Sequence, residues 1–207
     1  MTKKYFAIRW KNGNKVLEYD TWDEVSKKVI GVKGVTFKGF TNKIEAKRWL
    51  AQDDVPYRRA GDPYKEDVLY IFVDGSYSST KKLSGWGWVA VLNGKKIAED
   101  SGVIINPPES RNICGELEAT IQATRWYIKR CNYLNHLYPV IVHDYSGISN
   151  WALGYWEARK KIAINYVTFM QSHAHLFKFE KVGGHSGISW NDYADKLTRK
   201  NYDNIDI

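Results

Sequence analysis

The chain has little of what marks a secreted or membrane protein. Its 207 residues include only two cysteines, Cys114 and Cys131. That is too few for a disulfide framework, and they lack metal-ligand spacing, so both are read as small, mostly buried thiols. No run approaches the roughly 18 consecutive apolar residues of a membrane span. Met1-Thr2-Lys3-Lys4 passes straight into strand-like sequence without the apolar core of a signal peptide. A cytoplasmic protein with no membrane contact is expected. Internal repeats and low-complexity tracts are also lacking. Core material is present: 43% of residues are apolar, nine are Trp, and the charged fraction of 26% is ordinary for a globular protein. The length suits one medium domain and one small one.

The formal charge of +8 is unevenly spread: residues 1–66 carry 15 Lys and Arg against 9 Asp and Glu, leaving only +2 for the rest. A basic stretch studded with aromatics is a candidate polyanion surface, because neutralised phosphates release counterions and aromatic faces can meet bases or sugars.

Turn residues and periodicity divide the chain. Lys4 to Trp10 alternates apolar and polar residues, and Asn12-Gly13-Asn14 turns it into a second extended run, Lys15 to Tyr19. Thr21-Trp22-Asp23-Glu24 has the capping-box pattern before a helix with Val25, Val29 and Ile30 facing inward. Val35 to Phe40 is strand-like, and Thr41 opens a second helix with Ile44, Trp49 and Leu50 inward. Residues 51–66, with two prolines, a glycine and mostly polar side chains, read as a linker. Val68 to Val73 is wholly apolar, as for a buried central strand, and ends at Asp74. Two strands joined by Asn93-Gly94 follow, then a long helix from Glu116 through Lys129, and a short apolar strand from Pro139 to His143 ending at Asp144. Helical sequence follows from Ile148 and again from about Glu157 to Gln171. The last elements are a strand from His175 to Val182 and a helix opened by the capping-box-like Ser189-Trp190-Asn191-Asp192. This order gives an α/β sheet flanked by helices.

Asp74 and Asp144 fall at carboxyl ends of strands, where open α/β sheets place their sites. A charge so near the core needs a partner or a metal, and no basic residue nearby is an obvious one. Taken singly, each could be a turn or cap residue. Glu116, a third acidic residue, lies at the start of the long helix. Glu118, two residues along the helix, points about 200° away from Glu116. His173 and His175 alternate at a strand edge and make a weak zinc pattern.

Four motifs appear in order: Asp74-Gly75-Ser76; Asn112 through Gly115-Glu116-Leu117-Glu118-Ala119; His143-Asp144; and Gly184-His185-Ser186-Gly187 leading to Asn191-Asp192-Tyr193-Ala194-Asp195. Over residues 68–200 this resembles ribonuclease H of type 1. Tyr5-Phe6-Ala7-Ile8-Arg9, Thr21-Trp22-Asp23-Glu24 and Phe37-Lys38-Gly39-Phe40 resemble the hybrid-binding domain that precedes many such enzymes and is also known from a viral inclusion-body protein.

The resemblance implies a ribonuclease H-like mixed five-stranded sheet flanked by helices, at residues 67–203. Before it comes a small α/β domain of three strands and two helices, at residues 1–50, that binds RNA/DNA hybrid. It implies an endonuclease that hydrolyses the RNA strand of such hybrids and leaves 5′-phosphate and 3′-hydroxyl ends. No obligatory protein partner is implied. Asp74, Glu116, Asp144 and Asp195 would hold two Mg²⁺ ions, for which Mn²⁺ can substitute, roughly 4 Å apart with Asp74 as bridge. Asp192 would be a cap or an outer neighbour of the site. His185, between flexible glycines, would help deprotonate water or release product. Gly75, Ser76, Ser110, Arg111 and Asn112 would contact substrate, the last three near the 2′-hydroxyl and a DNA phosphate. Phe6, Trp22, Phe37 and Lys38 would meet the hybrid in the small domain. Two departures stand out: Ile113 follows Asn112 where many relatives have a second asparagine, and the basic protrusion of some bacterial relatives is absent or short after Asp144. The competing readings are a DNA nuclease of the same fold and a catalytically silent hybrid-binding protein.

Overall fold

In a computed structural model of the chain, which describes residues 3–51, 55–107, 111–184 and 187–202, Gly13 adopts φ +89 and folds strand β1 (Lys4–Trp10) back onto β2 (Lys15–Asp20). Helix α1 (Trp22–Val29), strand β3 (Val35–Phe40) and helix α2 (Lys43–Ala51) complete the first of two units, residues 1–54. The sheet order is β2-β1-β3, antiparallel throughout. The expected alternation of β1 gives way at its middle. Phe6 and Ile8 pack on Val25 and Val29 of α1, while Ala7 packs on Ala46 and Trp49 of α2. A central strand covered on both faces needs no polar side. The Thr21/Glu24 capping box does not form, because the Thr21 N–H donates to Asp20 Oδ1 at 2.8 Å and Glu24 accepts from Lys27 at 2.7 Å. Ile30 and Ile44, expected inward, are 64% and 61% exposed.

The second unit, residues 55–207, is built on five strands: β4 (Val68–Ser78), β5 (Leu83–Leu92), β6 (Lys95–Ile105), β7 (Tyr138–His143) and β8 (Lys178–Lys181). Their order is β6-β5-β4-β7-β8, antiparallel from β6 to β4 and parallel from β4 to β8. Leu69, Ile71 and Val73 face one core with Leu117 of helix α3 (Asn112–Ile128), Ile148 of α5 (Gly147–Ala152) and Tyr166 of α6 (Lys161–Gln171). Tyr70 and Phe72 face a second core with Ala194 and Leu197 of α7 (Ser189–Arg199). A short helix α4 (Cys131–Leu134) precedes β7, and among the described residues no helix lies between α5 and α6, in line with a missing protrusion.

Several boundaries differ from expectation. Helix α3 starts a turn early, at Asn112. Residues Ala174–Leu176 form a 3-10 turn, so β8 is shorter than expected. Ile188 occupies the cap of α7, which leaves Ser189 inside the helix and no second capping box.

The segment read as a linker packs onto the second unit from Val55 onward. Lys181 N–H donates to the Pro56 carbonyl at 2.7 Å and Arg58 N–H to the Lys181 carbonyl at 2.8 Å, so the segment covers the open edge of β8. Arg58, 4% exposed, donates from Nε to Glu180 at 2.8 Å and lies over the rings of Tyr64 and Tyr70. Loop-like composition did not predict this, because the contacts of Arg58 are made with residues outside the local sequence window.

Close backbone approach fixes how α3 meets the sheet. A Cβ on Gly75 would fall against the backbone nitrogen of Glu116, and one on Gly115 against the Gly85 carbonyl. Both contacts are with backbone, which cannot swing aside. Gly115→Ala is therefore expected to destabilise the second unit by about 3 kcal/mol, the upper end of ordinary overpacking. Urea unfolding of the full chain measures it, and a loss within error of zero would contradict the packing described.

Candidate active site: a carboxylate cleft

Strand β4 keeps its antiparallel partner β5 to Ser78, but its last pair with the parallel neighbour β7 is Phe72 with Val142. Two residues beyond that pair lie Asp74, still within β4, and Asp144, just past the end of β7. Asp74 is thus within β4 rather than at its end, yet it occupies the carboxyl edge of the parallel half, where a crevice opens. Helix α3 brings Glu116 there through the Gly75–Gly115 contact, from its second turn rather than from the helix start. One oxygen from each of Asp74, Glu116 and Asp144 lies within 4.8 Å of the others. Asp74 and Glu116 are 8% and 4% exposed.

These three line a cleft of about 410 Å³ together with Asn112, Gly184, Asn191, Asp192, Asp195, Arg199 and Tyr202. Asp195 stands apart from the triad, and its Oδ1 accepts from Arg199 at 2.8 Å. Its charge still adds to the field at Asp74.

Burial, then the charge of Asp144, raises the Asp74 carboxyl to about 7. Burial and both neighbouring carboxylates raise Glu116 well above the usual range. Glu116 Oε2 is buried without a hydrogen-bond partner, and none of the ion pairs among the described residues involves these three carboxylates. Such a set is under-neutralised as it stands. Its donors, all carboxylate oxygen, fit a hard divalent cation. Next to Asp144, His143 is fully buried with both ring nitrogens unpartnered, and burial lowers its pKa to about 4.

The other residues singled out in the sequence are placed as follows. Gly75 N–H donates to Asp74 Oδ1 at 2.7 Å. The Ser76 hydroxyl is engaged internally, by Tyr202 and Thr198, each at 2.6 Å. Asn112 lines the cleft. Arg111 holds φ +43, in the left-handed region, with its guanidinium 5.4 Å from the Tyr77 ring centre. A non-glycine residue there is strained, as residues beside sites often are. His185 and Ser110 lie outside the described residues. Glu118 accepts from Gln122 at 2.6 Å, away from the cleft. Asp192 lines the cleft and is not a cap. In the first unit, the Trp22 ring, on a residue 41% exposed, sits 5.8 Å from Phe6 and 5.4 Å from Phe37. Phe6 is buried beneath this cluster and Phe37 is 38% exposed. Lys38 alternates to the opposite face, with its Nζ 5.4 Å from the Phe40 ring centre.

Asn191, Arg199 and Tyr202 were not found from the sequence. Arg199 could have been, since it follows Asp195 by four residues on a helix. Asn191, 3% exposed with Oδ1 unpartnered, was hidden by the capping-box reading.

Residues 66–203 match the family model described as RNase H, and residues 4–50 match that described as Ribonuclease H1 N-terminal domain. The chain is 28% identical over 142 residues to Ribonuclease H of Chlorobium phaeovibrioides, covering 65% of this chain and 94% of the relative. It is 30% identical over 140 residues to that of Chlorobium luteolum, covering 64% and 93%. Among solved structures, LC11-RNase H1, isolated from compost by a metagenomic approach, has the same fold, with a TM-score of 0.56 at 18% identity over 67% of this chain and 97% of that one. The same protein in complex with an RNA/DNA hybrid gives a TM-score of 0.54 at 18% identity, over 66% and 97%.

The raised carboxyl has a consequence for stability. With a folded pKa of about 7 against an ordinary 3.8, Asp74 keeps a proton in the folded state that the unfolded chain has released. Its favourable contribution is full below the lower value and lost as pH rises through the upper one. His143, lowered to about 4, works in the opposite sense below its usual 6.5. Comparing Asp74→Asn with the parent cancels the histidine. In metal-free buffer, the thermal midpoint of the variant is expected to gain on that of the parent as pH rises from 5 to 8, and added Mg²⁺ should close the gap. A gap independent of pH and Mg²⁺ would contradict the electrostatic picture.

Proposed function

The chain belongs to the ribonuclease H family and is a ribonuclease H enzyme, and we propose that it hydrolyses the RNA strand of RNA/DNA hybrids at the carboxylate cleft with divalent cations, leaving 5′-phosphate and 3′-hydroxyl ends. The observation that carries the reading is the triad of buried Asp74 and Glu116 with half-buried Asp144, with oxygens within 4.8 Å and no compensating ion pair among the described residues. The family depends on divalent metal, and Mg²⁺, in two ions with Mn²⁺ able to substitute, suits all-oxygen ligands of this kind. Held by Asp74, Glu116 and Asp144, such cations would supply Lewis acidity toward the scissile phosphate, the attacking water and the leaving 3′ oxygen.

The chain's own part is to hold those charges ready. Gly75 N–H orients Asp74. Rigid packing of α3 keeps Glu116 within reach of both strands, so no ligand has to be gathered at the moment of reaction. Asp195, on the rim with Arg199, is the fourth carboxylate in this reading, and its arginine restrains it until cation and substrate compete for it. The N-terminus of α3, with Asn112 lining the cleft and Arg111 just before it, favours a phosphate through the helix dipole and free amides. Selection of the RNA strand rests on the 2′-hydroxyl, a contact assigned to Asn112 and nearby backbone groups, Ile113 offering no polar side chain. His185 is assigned to proton handling or product release, as its family position implies.

The first unit is assigned to hybrid binding through Trp22 and Phe37, the exposed pair above Phe6. Aromatic faces of this kind meet sugars or bases, and Lys38, on the other face of β3, is assigned to a phosphate. A tethered second site raises the local substrate concentration towards the millimolar range. Support for the hybrid as substrate comes from the LC11-RNase H1 complex and from the matching N-terminal domain together.

Labelled RNA/DNA, RNA/RNA and DNA/DNA duplexes incubated with the protein and Mg²⁺ test the reading. Cleavage is expected of RNA in the hybrid alone, and Asp74→Asn should lower it by about 1,000-fold or more, as expected when a group stabilising developing charge is removed. Cleavage of the DNA duplex, or an undiminished variant, would overturn the assignment. Separately, removal of residues 1–50 is expected to weaken hybrid binding and flatten its dependence on salt while leaving some cleavage. Filter binding across a salt series measures this, and unchanged affinity would remove the first unit from substrate binding.

A further inference from the structure

Beyond the cleft itself, the hydroxyl network behind it assigns a task to a residue after the last helix. Four polar contacts meet there. Gly85 N–H donates to the Tyr202 phenol oxygen at 3.1 Å, the phenol and the Ser76 hydroxyl are 2.6 Å apart, Ser76 and the Thr198 hydroxyl are 2.6 Å apart, and Thr198 lies 2.7 Å from the Asp195 carbonyl. Each hydroxyl has one proton to give. The Thr198 hydroxyl donates, and its one proton has both Ser76 Oγ and the Asp195 carbonyl within reach. Ser76 and Tyr202 share a contact in which either can donate, and the Tyr202 oxygen accepts from the Gly85 amide. One connected network of hydroxyls therefore runs from β5, through Tyr202 and β4, to the turn of α7 that carries Asp195, and the members of such a network polarise one another.

Both ends of the device are anchored. Lys81, in the turn between β4 and β5, donates to the Tyr202 carbonyl at 2.6 Å. On the other side, α7 lies so close to the sheet that a Cβ on Gly85 would fall against the Thr198 carbonyl. The Asp195 side chain is held by Arg199, whose own side chain is 60% exposed. Its backbone is held by the chain of hydroxyls. Ser76 stands two residues from Asp74 on the same strand, so the chain ties the backbone of one cleft carboxylate to the strand of another.

We infer that Tyr202 is a positioning residue: through Ser76 and Thr198 it sets where Asp195 stands relative to Asp74, and so how well the cleft holds its cations. This rests on the reading of Asp195 as the fourth carboxylate. It also gives Ser76, which lines the cleft, a structural task in the network.

The test uses the full chain with Tyr202→Phe, Thr198→Val, Thr198→Ser and, as control, Asp195→Asn. Mn²⁺ binding is followed by calorimetry, and kcat and KM are measured on RNA/DNA hybrid. Tyr202→Phe and Thr198→Val are expected to weaken Mn²⁺ binding and lower kcat by about tenfold each, as removal of a residue supporting a metal ligand does. KM should stay within about twofold, because the hybrid is not bound by these hydroxyls. Thr198→Ser restores the hydroxyl and should recover both quantities, which a merely structural loss of volume would not allow. Parent-like Mn²⁺ binding and kcat in Tyr202→Phe, with Asp195→Asn impaired, overturns the inference alone, and so does a fall in thermal midpoint without a change in metal binding. Unimpaired Asp195→Asn would remove Asp195 from the site and the inference with it.

Discussion

Helix α3 can lie against strand β4 because neither Gly75 nor Gly115 carries a side chain, and the cleft follows from that contact. The same stretch of sheet is approached from the other face by α7, at Gly85 and Gly87, which pair with Ser76 and Asp74 across the β4–β5 ladder. Two helices thus reach one segment of β4 from opposite sides, each bringing an acidic residue to the edge where β7 ends. Side chains of ordinary size at these glycines would push the helices outward and separate the carboxylates by more than a cation can bridge.

The price of this geometry is electrostatic. Buried carboxylates at such spacing repel one another, and protons are held near neutral pH because releasing them costs more than in water. The fold sustains the tension through apolar packing on both sides of β4, where Leu69 through Val73 are at most 1% exposed. In ribonuclease H chemistry the same tension is useful, since sites that are unfavourable without counter-ions bind them strongly and present a prepared field to the substrate.

Much of this arrangement is legible in the sequence where one physical signal dominates. The unbroken apolar run of β4 can only be a strand buried on both faces, and Asn93-Gly94 can hardly be other than a hairpin turn. The carboxylates were legible through the order of four motifs rather than through any one of them. Asp195 was preferred to Asp192 by motif register alone, and its pairing with Arg199 was not foreseen. Failures came where long-range partners decide. The capping boxes at Thr21 and Ser189 were plausible locally, but Asp20 took the Thr21 amide and Ile188 took the cap position of α7. The segment from Val55 to Glu66 looked like a tether because its composition is polar, yet Arg58 finds Glu180, distant in the chain, and the rings of Tyr64 and Tyr70. Which backbone lies opposite a glycine is likewise invisible until the sheet is assembled.

The claim on which the account stands is that the triad of Asp74, Glu116 and Asp144 is a divalent-cation site. Anomalous diffraction from crystals of the full chain grown with Mn²⁺ tests it without recourse to activity. The account predicts Mn²⁺ at inner-sphere distance from oxygens of all three residues, about 2.0–2.2 Å for a small divalent ion. Ordered Mn²⁺ elsewhere on the chain, with these three carboxylates bare, would contradict it.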